Sequence, residues 1–162
     1  MRAVRKRMVI KDKRALVTGG GSGIGFAVAA RLASKGVEVI LLDISQDSLD
    51  KALAELRGEG YRVHGFQANV TSMEDLRTIK EELEAQGLSP DILVNCAGIT
   101  LIAHFSATDH DERNRIIDVN LMGTINTVET FLPSMTERGY GHIVNIGSID
   151  LSLIHISEPT RP

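Results

Sequence analysis

The residues most able to do chemistry lie early in the chain. Five glycines crowd into the seven positions Gly19–Gly25, and a single aspartate, Asp43, stands about twenty residues further on. Each glycine costs roughly 0.5–1 kcal/mol relative to alanine inside regular structure, so their density calls for a function. Before them the apolar run Ala15-Leu16-Val17 reads as a buried parallel strand. After them Phe26–Lys35 carries apolar residues at helical spacing. In a strand, glycine turn, helix sequence, backbone N–H groups at the helix N-terminus can cradle a pyrophosphate. An ordinary glycine-rich turn is the plainer alternative. Asp43 ends a second apolar strand, Val37–Leu42. There a carboxylate can accept both hydroxyls of an adenosine ribose and would repel a 2′-phosphate. This favours NAD over NADP, and Ile44-Ser45-Gln46 offers no cation to reverse that. The plainer reading of Asp43 is a solvated helix cap.

The glycine spacing is Thr18-Gly19-x-x-x-Gly23-x-Gly25, with Ile24 where a G-x-G-x-x-G motif would place its last glycine. This spacing resembles the signature of the short-chain dehydrogenase/reductase family. The resemblance implies a cofactor site at Thr18, Gly19, Gly21, Ser22, Gly23, Ile24 and Gly25. It extends to Asn95-Cys96-Ala97-Gly98, matching the family's N-x-A-G element, where Asn95 would brace the sheet and Ala97 and Gly98 would leave room for the cofactor. Asn69-Val70 stands where the family usually has an acidic residue before valine; the Asn69 side-chain carbonyl would accept from the adenine amine. Asn120 matches an asparagine whose implied role is to hold a water of the proton relay, against a plain helix-interior asparagine. Ser148 matches the catalytic serine, implied to hydrogen-bond the substrate oxygen.

The family mechanism also needs a tyrosine about three helical turns past that serine and a lysine four residues later. The two tyrosines, Tyr61 and Tyr140, both precede Ser148, and the last lysine is Lys80. Residues 151–162 resemble, residue for residue, translated sequencing-adapter read-through, so the expectation is a fragment of a longer reading frame with a non-native tail. Such a fragment should be inactive. The implied parent is an NAD(P)-dependent oxidoreductase moving hydride between nicotinamide and a ketone or secondary alcohol. A non-catalytic NAD-binding sensor is the alternative.

The elements that must position these residues follow from periodicity. Helices are expected at Gln46–Glu59, from a Thr71-Ser-Met-Glu74 capping box to about Gln86, and at Asp111–Arg138; strands at Arg62–Ala68, Asp91–Asn95 and after Gly141. Strands alternating with helices predict an α/β, three-layer, doubly wound parallel sheet of Rossmann type, in spatial order 3-2-1-4-5, truncated after the fifth strand. That strand would be an exposed edge favouring aggregation. The division expected is a basic leader at 1–9, a truncated nucleotide-binding domain at 10–150 and the tail. The Asp111–Arg138 helix is apolar on more than one face, and the resemblance implies a subunit interface there, hence a homo-oligomeric parent.

The totals agree with this reading. The 162 residues are 43% hydrophobic and 24% charged, with net charge −3. That is an ordinary globular balance with no general pull toward nucleic acid or anionic membrane. The basic N-terminal stretch is read as a solvated leader, with Met8 as a candidate true start, rather than as a nucleic-acid-binding arm. No run is long enough to span a bilayer, and one cysteine, Cys96, fits a reducing, cytoplasmic setting. Cys96 lacks partners for thiol chemistry, His64 reads as structural, and His104 and His110 do not form a metal site.

Overall fold

The computed structural model describes residues 9–100 and 108–147. Ser148, His104, the basic leader through Met8 and the tail lie outside the described residues. Within them the order is β1 (Arg14–Thr18), α1 (Gly23–Ala33), β2 (Glu38–Asp43), α2 (Gln46–Gly58), β3 (Val63–Gln67), α3 (Met73–Ala85), β4 (Ile92–Asn95), α4 (His110–Ile117), a π-helical segment (Asp118–Met122), α5 (Gly123–Glu137) and β5 (His142–Asn145).

All strand pairs are parallel, and the spatial order is β3-β2-β1-β4-β5, as expected. The central strands are apolar on both faces because helices cover both. Successive side chains of a strand point to opposite sides, and the core divides accordingly. Ala15, Val17, Val39, Leu41 and Val94 face α1 and α2, packing with Ala29, Leu49, Leu53 and Leu56. Leu16, Ile40, Leu42 and Leu93 face the other side and meet Leu76, Leu83, Phe131 and Met135 of α3 and α5. Gly65 of β3 lies so close to Leu53 that a Cβ there would come within 2.6 Å of it. β5 pairs with β4 alone among the described residues, and Val144 and Ile146 are exposed along it.

Several boundaries differ from the sequence expectation. α1 begins at Gly23, three residues early, because the helix grows directly out of the glycine turn. The α3 cap is Ser72, not Thr71: the Ser72 hydroxyl accepts from Asp75 N and donates to Asp75 Oδ1. The first-turn acid that answers it is therefore Asp75, one position past Glu74. The expected single helix Asp111–Arg138 is three segments, with a widened π turn at Asp118–Met122. Asp109 and Glu112 form a capping box that starts α4 at His110, one residue before the expected Asp111.

Candidate functional site

The carboxyl ends of β1–β4 open onto a groove of about 630 Å³. β1 has β2 on one side and β4 on the other, so the chain's winding reverses there; this is where open parallel sheets leave a crevice. The groove is lined by the glycine turn, Asp43, Ala68–Thr71, Cys96–Ile99, Arg115 of α4, and Asp118 and Val119 of the π segment.

The glycine turn is shaped by contacts that no side chain would permit. Gly19 has φ +63°, and a Cβ on it would lie 2.9 Å from the Ala97 Cα. A Cβ on Gly25 would sit 2.1 Å from the Gly19 carbonyl oxygen. The first turn of α1 thus folds back directly onto the end of β1. Ser22 occupies the N-cap but makes no side-chain cap hydrogen bond, and the first turn carries no acid. Ser22, Gly23 and Ile24 are exposed. The helix N-terminus therefore presents free N–H groups and its positive dipole end to the groove, as an anion site requires.

Asp43 is bound into this turn. One carboxylate oxygen accepts from Gly21 N at 3.0 Å and the other from Ser45 N at 3.0 Å. The cap of α2 is Ser45, whose hydroxyl accepts from Ser48 N, so Asp43 is not the capping residue. Each Asp43 oxygen keeps a further lone pair for a hydroxyl donor.

The remaining expected residues divide into groove wall and support. Thr18 is 1% exposed, and its hydroxyl accepts from Cys96 N at 3.1 Å and Ala97 N at 3.0 Å. It holds the β4 exit turn against the glycine turn from beneath rather than facing the groove. Asn95 is buried; its Nδ2 donates to Asn145 Oδ1 at 2.8 Å and its Oδ1 accepts from Thr127 at 2.7 Å, tying β4 to β5 and α5. Ala97 and Gly98 line the groove. Val70 lines it too, is buried, and packs where a Cβ on Gly123 would clash at 2.6 Å.

Two of the resemblance-implied roles meet different geometry. The carbonyl of Asn69, expected to face adenine, accepts from Thr71 N at 3.0 Å and from the Thr71 hydroxyl at 2.9 Å. Its oxygen is taken up by this local turn. The Asn120 side chain is also engaged: Oδ1 accepts from Ile99 N and Nδ2 donates to Ile99 O. Its backbone carbonyl accepts from Thr124 Oγ1 at the start of α5. Ser148 lies outside the described residues.

Other candidates are placed plainly. His64 pairs with Glu38 across β2 and β3 at 3.1 Å. Tyr140 precedes β5, at the opposite end of the sheet from the groove, with Lys13 over its ring. His110 is exposed at the start of α4. Among the described residues no cluster of three or more His, Cys, Asp or Glu could hold a metal, and no helix is long and apolar enough to cross a membrane. Burial pushes the Cys96 thiol above its ordinary value, which keeps it protonated and unreactive. The sequence reading did not single out Ile44 or Arg115 as groove wall. Ile44 is 64% exposed directly after Asp43, and an isoleucine just past a strand end with no core to enter is the signal that could have found it.

A family model described as short chain dehydrogenase matches residues 13–153. The C alpha-dehydrogenase of Sphingobium sp. (strain NBRC 103272 / SYK-6) is 36% identical over 141 residues, which are 86% of this chain and 46% of that protein. A 3-oxoacyl-[acyl-carrier protein] reductase from Brucella melitensis with bound NAD has 32% identity and a TM-score of 0.79, over 87% of this chain and 55% of that one. A gluconate 5-dehydrogenase from Burkholderia cenocepacia J2315, in complex with NADP and tartrate, has 33% identity and a TM-score of 0.80, over 94% of this chain and 57% of that one. The chain spans about half the length of these proteins. With its parallel sheet, glycine turn and matched residues, the chain belongs to the short-chain dehydrogenase family.

Proposed function

We propose that this chain carries the dinucleotide-binding half of an NAD(P)-dependent oxidoreductase, with NAD the preferred cofactor. The observation that carries the reading is the uncapped α1 N-terminus beside Asp43, whose carboxylate is fixed by Gly21 N. The residues present fit a dinucleotide. The crossing of Gly25 over Gly19 admits no side chain, and the exposed first turn offers N–H donors to a diphosphate. Asp43 accepts ribose hydroxyls and opposes a 2′-phosphate. When bound, the nicotinamide supplies the hydride acceptor or donor for a ketone and secondary alcohol pair. Ser148, by its match to the family serine, hydrogen-bonds the substrate oxygen, and Asn120 positions the β4 exit loop through Ile99.

The acid–base pair of the family mechanism, Tyr-x-x-x-Lys, does not follow Ser148 in this sequence. The chain alone therefore binds cofactor without turning over, and catalysis belongs to the complete protein. A cytoplasmic setting and a homo-oligomeric parent, joined through the exposed Ile117, Leu121, Met122 and Ile125 of the α4–α5 region, complete the proposal.

The test is a fluorescence or calorimetric titration with NAD and NADP. NAD should bind about tenfold tighter, or ~1.4 kcal/mol, and Asp43→Ala should bring the two within about threefold. Absence of saturable binding by either dinucleotide overturns the reading.

A further inference from the structure

Gly21 differs from the other glycines of its turn. Gly19 and Gly23 have φ +63° and +53°, the left-handed backbone that favours glycine, whereas the φ of Gly21 is not positive. Gly19, Gly23 and Gly25 line the groove, and Gly21 does not. Neither backbone conformation nor contact with a groove ligand accounts for a glycine here.

Its neighbours do. A Cβ on Gly21 would lie 2.8 Å from the Ser48 Cβ and 2.9 Å from Asp43 Oδ2. Ser48 belongs to the first turn of α2, and its Cβ is one bond from the helix backbone, so it cannot yield. The carboxylate can, by rotating about its side-chain bonds. Any side chain at position 21 therefore displaces the Asp43 carboxylate. That displacement breaks a built arrangement, because Asp43 Oδ2 accepts from Gly21 N and Oδ1 accepts from Ser45 N, each at 3.0 Å. Two backbone amides, one from the β1 exit and one from the cap of α2, fix both oxygens before any ligand arrives.

We propose that Gly21 is a positioning residue for cofactor choice, acting through Asp43 rather than on the dinucleotide itself. Its N–H orients the carboxylate, and its missing side chain leaves the carboxylate room to stay there. The inference rests on the dinucleotide reading above. A carboxylate held in this way presents its remaining lone pairs to two vicinal ribose hydroxyls and keeps its charge against a 2′-phosphate. A displaced one loses both the orientation that the hydroxyls need and the position from which it repels phosphate.

The test is titration of NAD and NADP against the unsubstituted chain, Gly21→Ala, Asp43→Ala and the double variant. The unsubstituted chain should prefer NAD by about tenfold, and G21A should narrow this to about threefold or less, chiefly through weaker NAD binding. In the D43A background the same substitution should change the ratio by less than about twofold, because the residue it acts through is gone. A merely structural role would weaken both dinucleotides alike, with or without Asp43. Thermal melting checks that G21A is folded. If it is not, amide hydrogen exchange decides: the Gly21 N–H should exchange about tenfold faster or more in D43A than in the unsubstituted chain, having lost a charged acceptor. An unchanged ratio in folded G21A, the same change of ratio in both backgrounds, or equal Gly21 exchange rates overturns the inference while leaving dinucleotide binding intact. Failure of both dinucleotides to bind the unsubstituted chain overturns this inference together with the reading on which it rests.

Discussion

The side chain of Asn120 pairs with both backbone groups of Ile99: its Oδ1 accepts from Ile99 N at 2.8 Å and its Nδ2 donates to Ile99 O at 2.9 Å. An asparagine side chain thus does for the β4 exit loop what a neighbouring strand would do, satisfying a donor and an acceptor at once. It sits within the π turn between α4 and α5, whose extra residue displaces that stretch from regular helix. Gly98 lies against it, with room for a Cβ only 3.3 Å from Asn120 Oδ1. The loop that walls the groove is therefore set by a helix residue twenty-one positions away in sequence.

Replacing Asn120 by Ala leaves the Ile99 N–H and C=O without these partners. The expected loss is about 1–3 kcal/mol of stability, read from urea unfolding. Dinucleotide affinity should fall as well, because Ile99 belongs to the groove wall. A stability within experimental error of the unsubstituted chain would show that water replaces both bonds.

Gly25→Ala and Gly23→Ala should separate two kinds of glycine. At Gly25 the new Cβ would meet a backbone oxygen at 2.1 Å, so the turn must open. The cost belongs at or above the top of the ~1–3 kcal/mol range for overpacking, with loss of dinucleotide binding. At Gly23 nothing lies within 4 Å, and only φ +53° opposes a side chain. The cost there is about 1–2 kcal/mol. Equal melting temperatures for the two variants would contradict this ordering.

Acid should attack the start of α3. The Asp75 carboxyl is held below its ordinary value of 3.8, first by the Asn69 N–H and then by the Ser72 hydroxyl. A carboxylate with a depressed folded value contributes stability that is complete above its unfolded value and disappears as pH falls through the folded one. Stability should therefore keep this contribution from neutrality down to about pH 5 and lose it progressively at lower pH. Asp75→Asn should lose less over the same acid range than the unsubstituted chain. Ser72→Ala should cost about 1 kcal/mol at neutral pH as a lost N-cap; denaturant unfolding at several pH values measures both.

Cys96 should react slowly with iodoacetamide at neutral pH and faster as pH rises past the ordinary thiol range, since burial raises its value. Saturating dinucleotide should slow the reaction further, because Cys96 lines the groove. Rapid alkylation at pH 7 with no protection by ligand would place the thiol outside the groove.

Much of this protein was legible in its residues taken in order. A doubly wound parallel sheet follows from alternating apolar runs and helical repeats, because parallel strands joined by right-handed crossovers admit few arrangements; which arrangement is built shows in the pairing of β1 with both β2 and β4. Gly36 and Gly87 follow α1 and α3 with positive φ, the conformation that lets glycine end a helix. The glycine turn and Asp43 declare a groove at the ends of β1 and β2, since their spacing has meaning within one βαβ unit. What the sequence could not decide was direction at the scale of a single bond. Whether Thr18 faces the groove or supports it, what the Asn69 carbonyl binds, and what Asn120 holds depend on partners at Cys96, Thr71 and Ile99. The first and last of these are brought close only by the folded sheet, and the Thr71 turn takes the acceptor end of Asn69 locally, with the Asp75 carboxylate locking its backbone. Residue type states which hydrogen bonds a side chain can make; only the tertiary neighbours determine which of them remain unmade and free for a ligand.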